Sequence, residues 1–313
     1  MYKKSCSIFR EKLMKKIAII GAGISGLFIA NLFKRNKKYQ ATIFERNNSI
    51  NLKDGYGIQL SVNSIKLLNK IQFDKLENSE KFNPDKINFY SVKNSNKICE
   101  LNISDFNIEN CKYTTLKRSS LINFLKKGLE KEIKFDHTIS KIEHQDQIVK
   151  ITFKNNEIYE FDYLIISDGV FSKSKNLLSK NQIKPKFNDT LAIRGIIPSS
   201  LNIADKKNIS LFLGSNFHYV IYPVSPNGDL NFIALMKFKL SEDKQKDYSL
   251  FNDNNFIKNI LEKVPQINKK FFDNIKDLKI YPVFVSHDFF KVKNNNIHLI
   301  GDAFFAFPPS FAQ

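Results

Sequence analysis

The chain has 313 residues, enough for two domains with sizeable cores, and its hydrophobic content of 42% is that of an ordinary globular protein. No unbroken apolar run approaches the roughly 18 residues of a membrane-spanning helix. The net charge of +18 is scattered and carried almost wholly by lysine among many asparagines, so it reads as compositional bias. No nucleic-acid recognition module accompanies it, which excludes nucleic acid as the expected partner; loose attraction to an anionic membrane is the secondary expectation.

Three cysteines, Cys6, Cys99 and Cys111, are odd in number and form no C-x-x-C. They suit a reducing cytoplasm and no structural metal. Residues 1–13 are basic without a long apolar core, and Met14-Lys15-Lys16-Ile17 reads as a natural start, so a disordered lead is expected there. The composition does not address oligomeric state.

The first element is a buried strand, Ile17 to Ile20. Gly21-Ala22-Gly23-Ile24-Ser25-Gly26 follows, a G-x-G-x-x-G, and an amphipathic helix begins inside it. A second strand, Ala41 to Phe44, ends at Glu45-Arg46. Gly21 permits the tight strand-to-helix turn, Gly23 lets backbone approach a pyrophosphate, and Gly26 lets the helix lie close to the strand. The helix start offers N–H groups and a positive dipole end to the diphosphate. Glu45 stands about 20 residues on, where a carboxylate takes a ribose hydroxyl. The motif predicts dinucleotide binding without separating NAD from FAD.

A short strand is expected over Gly55 to Ser61, a helix over Asn63 to Ile71, and a hairpin from Ile87–Val92 and Lys97–Ile103. Ser119 opens a helix. Ile133 to Phe161 alternates as several short strands, and Tyr163 to Ser167 is a buried strand ending in Asp168-Gly169. Longer β runs follow at Leu191–Ile197, Ile209–Leu213, Phe217–Val224 and Leu230–Lys239, and read as a separate antiparallel sheet. Helical stretches lie between Ser241 and Asn274, with Pro265 as a helix start. Strands return at Lys279–Val285 and Ile297–Ile300, the latter running into Gly301-Asp302. Asp168 and Asp302 therefore each leave the carboxyl end of a buried strand, where open α/β sheets bind ligands. His218 and Tyr222 lie at i and i+4 on one strand and face the same side. Among only five arginines, Arg46, Arg118 and Arg194 fall in motif-like stretches, which suggests a use for a planar guanidinium.

These blocks together resemble the single-component, FAD-dependent aromatic hydroxylases, in particular their salicylate hydroxylase-like branch. The likeness rests on Gly21–Gly26 with Glu45-Arg46, on Gly55-Tyr56-Gly57-Ile58-Gln59-Leu60-Ser61 with Asn63, on Asp168-Gly169 with Ser172, and on Gly301-Asp302-Ala303 with Pro309. Arg118, Arg194-Gly195 and Tyr222-Pro223 add to it. The resemblance implies a Rossmann-like FAD-binding α/β domain with an inserted, mainly antiparallel β-sheet substrate domain, a p-hydroxybenzoate hydroxylase-like fold. The expected division is 14–80, 105–182 and 287–313 for the FAD domain, and 81–104 with 183–286 for the substrate domain.

The same resemblance implies FAD as cofactor and NAD(P)H as co-substrate. It implies hydroxylation of a small phenolic molecule with O2 through a flavin C4a-hydroperoxide. Cofactor contacts fall on Gly21, Ala22, Gly23, Ser25, Gly26, Glu45, Arg46, Gly57, Arg118, Asp168, Gly169, Gly301, Asp302 and Pro309. His218 is the implied base, Tyr222 orients the phenol, and Arg194 steadies flavin or substrate.

The pattern departs from the family at Ser167 (usually alanine), Lys175 (often arginine) and Phe305 (usually histidine). The chain also stops at Gln313, where relatives continue into further helices. A truncated form is therefore expected, with an uncovered apolar surface near Ile297 to Phe311. A related FAD enzyme such as a ubiquinone-pathway hydroxylase or an epoxidase, and an FAD-binding remnant without turnover, are the alternative expectations.

Overall fold

The computed structural model describes residues 14–52, 56–145, 147–179, 182–198, 200, 205–226, 228–247, 249–264 and 275–309. Residues 1–13, Gly55, Pro265, Phe311 and Gln313, all used in the sequence reading, lie outside the described residues. The chain opens with β1 (Lys15–Ile20), α1 (Ile24–Lys34), β2 (Tyr39–Phe44), β3 (Gly57–Leu60) and α2 (Val62–Asn69). It continues through β4 (Lys81–Phe82), β5 (Lys86–Ser91), β6 (Lys97–Asn102), β7 (Thr114–Lys117) and α3 (Arg118–Lys126). Next come β8 (Ile133–Lys134), β9 (Ile139–Gln145), β10 (Ile148–Phe153), β11 (Ile158–Phe161), β12 (Tyr163–Ile166) and α4 (Lys173–Leu178). The last elements are β13 (Lys186–Ile197), β14 (Ile209–Leu213), β15 (Phe217–Pro223), β16 (Leu230–Lys237), α5 (Glu242–Lys246), α6 (Asn254–Glu262), β17 (Lys276–Val285) and β18 (Ile297–Leu299).

Two compact units form from interleaved segments. The first comprises Met1–Ile50, Gly128–Ile183 and Phe290–Phe304. The second comprises Asn51–Lys127, Lys184–Phe289 and Phe305–Gln313.

In the first unit a five-stranded sheet runs in the order β18-β12-β1-β2-β8, with every neighbouring pair parallel. Ile17 to Ile20 are buried on both faces of the sheet, as central parallel strands require. The antiparallel sheet β11-β10-β9 supplies Val149, Ile151 and Phe153 to a core shared with Ala18, Ile20, Phe44, Leu164 and Ile166. The helix α1 carries Lys34 in its last turn, where the amine reaches the Gly128 carbonyl and the Glu132 carboxylate. A cation there suits the negative end of the helix dipole.

The second unit is built on a seven-stranded sheet of order β17-β13-β16-β15-β14-β5-β6, antiparallel except where β14 meets β5. Period-two alternation divides its residues. On one face Phe217, Ile221, Phe232, Ala234 and Met236 pack with Ile260 of α6. On the other, His218, Val220, Tyr222, Ile233 and Leu235 border a cavity. A small sheet, β3-β7-β4, belongs to this unit. The Gly57 N–H donates to Asn231 Oδ1 at 2.5 Å and the Thr115 hydroxyl to the Pro223 carbonyl at 2.5 Å. These bonds explain why residues 51–80 and 105–127, expected with the nucleotide domain, cluster with the large sheet instead.

Candidate functional site

In the first unit the glycine turn lies over the ends of β1 and β12. Gly21 has φ +102, a left-handed conformation that favours glycine. A Cβ there would lie 2.7 Å from the Ser167 carbonyl oxygen and 3.0 Å from Asp168 Cα. Gly301, at the end of β18 with φ +58, touches the same turn: its Cβ would stand 2.3 Å from Ser25 Oγ. Asp168 and Gly301-Asp302 therefore flank the loop Gly21–Gly26, each at the carboxyl end of a parallel strand neighbouring or next but one to β1. This geometry brings together the predicted Gly21, Ser25, Asp168 and Gly301.

The first intrahelical bond of α1 runs from Leu27 N–H to the Gly23 carbonyl, so the N–H groups of Ile24, Ser25 and Gly26 precede it. Among the described residues nothing crowds a Cβ position at Gly23, so backbone is open to a ligand there. The Ala22 N–H is committed differently: it donates to Glu45 Oε2 at 3.0 Å. Glu45 Oε1 accepts from Asn47 N at 3.0 Å and Nδ2 at 2.9 Å. The carboxylate is thereby fixed beside the loop with lone pairs to spare. Arg46 is exposed.

Asp168 is held by one oxygen only. Its Oδ2 accepts from Ser174 N at 3.1 Å and Oγ at 2.8 Å, while Oδ1 is buried with no hydrogen-bond partner among the described residues. Lys175 is buried nearby; desolvation lowers its pKa, and the Asp168 charge opposes that shift. Asp302 is open to solvent, yet the density of chain around it desolvates the carboxylate and pushes its pKa up. Gly169 has φ +85 and open space beside it.

The second unit holds a cavity of about 470 Å³. Its walls are mainly aliphatic, with Ile58, Leu211, Val220 and Ile233 among them, and five polar side chains face it: Gln59, Tyr113, Arg194, His218 and Tyr222. Gly57 and Pro309 also border it. Five predicted residues thus share one cavity: Gly57, Arg194, His218, Tyr222 and Pro309. Gly57 is glycine for a packing reason, since a Cβ would fall 2.7 Å from both Asn231 Cβ and Val224 Cγ1. Arg118 opens α3, and its N–H donates to the Tyr56 carbonyl at 2.8 Å.

Burial lowers the His218 pKa, favouring the neutral imidazole that a base needs. Tyr222 is 2% exposed and burial raises its pKa, with the Arg194 charge opposing the rise. Burial pushes Tyr113 up to about 12. The Arg194 guanidinium lies 5.3 Å from the Tyr56 ring centroid, and its Nε is buried without a partner among the described residues. Sequence reasoning missed Gln59 and Tyr113 as cavity residues, although Gln59 stood inside a quoted motif.

The architecture is the p-hydroxybenzoate hydroxylase-like fold found in crystallised FAD-dependent hydroxylases. Klebsiella pneumoniae HpxO, crystallised with FAD and uric acid, superposes with a TM-score of 0.82 at 16% identity, covering 96% of this chain and 75% of that one. The homologues by sequence are aromatic monooxygenases. The 3-amino-4-hydroxybenzoate 2-monooxygenase of Streptomyces cremeus is 24% identical over 225 residues, 70% of this chain and 56% of the relative. The 6-hydroxynicotinate 3-monooxygenase of Bordetella bronchiseptica is 23% identical over 190 residues, 60% of this chain and 49% of the relative. The chain spans about half the length of these curated relatives. No protein-family model matches it. Among the described residues no helix is long and apolar enough to cross a membrane.

Proposed function

We propose that the chain is an FAD-dependent monooxygenase that uses NAD(P)H and O2 to hydroxylate a small phenolic molecule, acting in the cytoplasm. The observation that carries the cofactor assignment is the buried Asp168 Oδ1, unpartnered among the described residues, beside a glycine turn and an uncapped helix start. A hydroxyl-rich diphosphate suits that set: N–H groups for phosphate oxygens, carboxylates for hydroxyls. Glu45 and Asp302 complete it as acceptors. FAD, when bound, supplies hydride acceptance and oxygen activation.

The cavity of the second unit supports an aromatic substrate. Its mainly aliphatic walls suit an apolar ring and its volume lies within the usual range for small-molecule sites, about 300–1,000 Å³. A ring nitrogen of His218 takes the phenolic proton, making the ring electron-rich. The Tyr222 hydroxyl orients the substrate oxygen, and Arg194 balances the negative charge.

The test is reconstitution of the purified chain with FAD, followed by NAD(P)H oxidation in the presence of a panel of phenolic acids. The expected result is a retained flavin spectrum and a product heavier by one oxygen atom. A chain that retains no flavin, or that makes only peroxide with every phenol, overturns the assignment.

A further inference from the structure

A second cavity, of about 320 Å³, lies within the second unit and shares no lining residue with the first. The end of α2, the chain after it, β4 and the approach to β7 enclose it through Asn69, Asp74, Lys81, Asn83, Lys112 and Thr114. Main-chain carbonyls settle what three of these side chains can offer. The Asn69 amide nitrogen donates to the Asn110 carbonyl at 3.2 Å and to Cys111 Sγ at 3.6 Å. The Asn83 amide nitrogen donates to the Tyr113 carbonyl and to Thr114 Oγ1, both at 2.9 Å. The Thr114 hydroxyl in turn donates to the Lys112 carbonyl at 2.8 Å. A carbonyl only accepts, so each of these bonds fixes where the side chain carries its protons. All of those protons are spent. What remains for a ligand is oxygen alone: Asn69 Oδ1, Asn83 Oδ1 and a lone pair of Thr114. Asn69 Oδ1 is buried with no hydrogen-bond partner among the described residues, a costly state that a ligand N–H would relieve.

Charge of both signs borders the same space. The Lys81 amine donates to the Asp74 carbonyl at 3.3 Å and lies 5.6 Å from the Phe73 ring centroid. That contact uses one of its three protons and leaves two to give. Burial lowers its pKa, and an anion beside it would oppose that loss. Lys112 adds an exposed ammonium and Asp74 an exposed carboxylate. Two non-glycine residues in left-handed backbone flank the cavity: Gln72, at φ 69, precedes Phe73, and Glu109, at φ 45, precedes Asn110. Strain of this kind gathers at ligand sites.

We infer that this second cavity binds a small zwitterion of the α-amino acid type. Its ammonium donates to the oxygens of Asn69, Asn83 and Thr114, and its carboxylate meets Lys81 and Lys112. A purely anionic ligand leaves the acceptors unanswered. A purely cationic one meets two ammonium groups. The site requires neither flavin nor the aromatic cavity, so its test is separate from that of the monooxygenase reading.

The probes are the protein amino acids, titrated singly at millimolar concentration into the full chain by calorimetry. At least one is expected to give a saturable heat. Its N-acetyl derivative lacks the ammonium and its methyl ester lacks the carboxylate. Each should bind about tenfold more weakly, the loss that follows removal of a hydrogen bond to a charged group. Lys81→Met keeps the apolar stem and should weaken the free amino acid about tenfold while leaving the methyl ester unchanged, because the two changes remove the same contact. Asn69→Leu should weaken the amino acid and its ester alike. Should Asn69→Leu fail to fold, Lys81→Met and the exposed substitution Lys112→Gln, which should also weaken the amino acid but not its ester, still decide the matter.

No saturable heat from any amino acid overturns the inference. So does an amino acid that binds Lys81→Met as tightly as the unmodified chain, or an N-acetyl derivative as tight as its parent. A heat that potassium chloride alone reproduces marks a bare cation site and overturns the zwitterion. None of these outcomes touches flavin binding or hydroxylation.

Discussion

Ser167 stands against Gly26: its Oγ lies 2.7 Å from the position a Cβ on Gly26 would take. That Cβ would also meet the Gly21 carbonyl oxygen at 2.0 Å. Backbone cannot give way there as a flexible side chain could, so Gly26→Ala should destabilise the fold by about 1–3 kcal/mol through overpacking. Gly23→Ala meets nothing and should melt like the unmodified chain while losing flavin affinity. Thermal melts beside flavin content separate the two. Equal melting of both variants would show that the helix does not depend on close approach at Gly26.

The same serine hydroxyl donates to the Ile20 carbonyl at 2.8 Å and to the Gly21 carbonyl at 3.1 Å. It ties β12 to the end of β1 where the glycine turn departs. Ser167→Ala should therefore cost about 0.5–1.5 kcal/mol, the net worth of a buried neutral hydrogen bond. Denaturant unfolding measures it. A midpoint unchanged from the unmodified chain would mean that the hydroxyl holds nothing.

What was legible in the sequence followed local rules. The strand-turn-helix of β1 and α1 showed in four consecutive apolar residues and three spaced glycines. Asp168 and Asp302 could be placed at strand ends because each follows a buried run, and the parallel order β18-β12-β1 puts both ends beside the turn. His218 and Tyr222 share a face because strand periodicity is two. The rest depended on register between distant segments. Tyr113, just before β7, reaches Gln59 through the β3–β7 pairing, and Asn231 faces Tyr222 through the β15–β16 pairing. No local pattern marks them. Ser167 shows in the sequence only as a departure from the family's alanine, since the carbonyls it reaches, those of Ile20 and Gly21, belong to another strand and its turn. Residues 51–127 were divided between domains because their short strands carry no sign of which sheet they join.

His218 gives a pH dependence with a definite sign. Its folded pKa is lowered by burial, so the unfolded chain takes up a proton that the native state resists. Its contribution to stability is therefore present above the unfolded value of about 6.5 and is lost as pH falls below it toward the lower folded pKa. The acid limb of the hydroxylation rate should fall below the ordinary histidine range for the same reason. His218→Asn should flatten the stability slope in this window and slow hydroxylation by about 10²–10⁴-fold, while flavin reduction persists. Urea melts at several pH values and a pH–rate profile test the two parts separately. A full hydroxylation rate in His218→Asn would remove the residue from the chemistry.

Asp168 separates holding the cofactor from holding the fold. Oδ2 is bound to the Ser174 N–H and hydroxyl at the start of α4, and Oδ1 is buried and unanswered among the described residues. In Asp168→Asn the amide oxygen can keep the Ser174 contacts while the NH2 replaces Oδ1. A donor then stands where an acceptor was, facing ligand hydroxyls without the negative charge that strengthened their bonds. Flavin affinity should drop about tenfold or more, which is about 1.4 kcal/mol. Circular dichroism and the melting midpoint of the flavin-free chain should stay near those of the unmodified chain. Asp168→Ala removes both functions and should lower the midpoint as well. Fluorescence titration with FAD, run beside apo-protein melts, distinguishes the outcomes. If Asp168→Asn binds FAD as tightly as the unmodified chain, the unanswered oxygen is not part of the cofactor site.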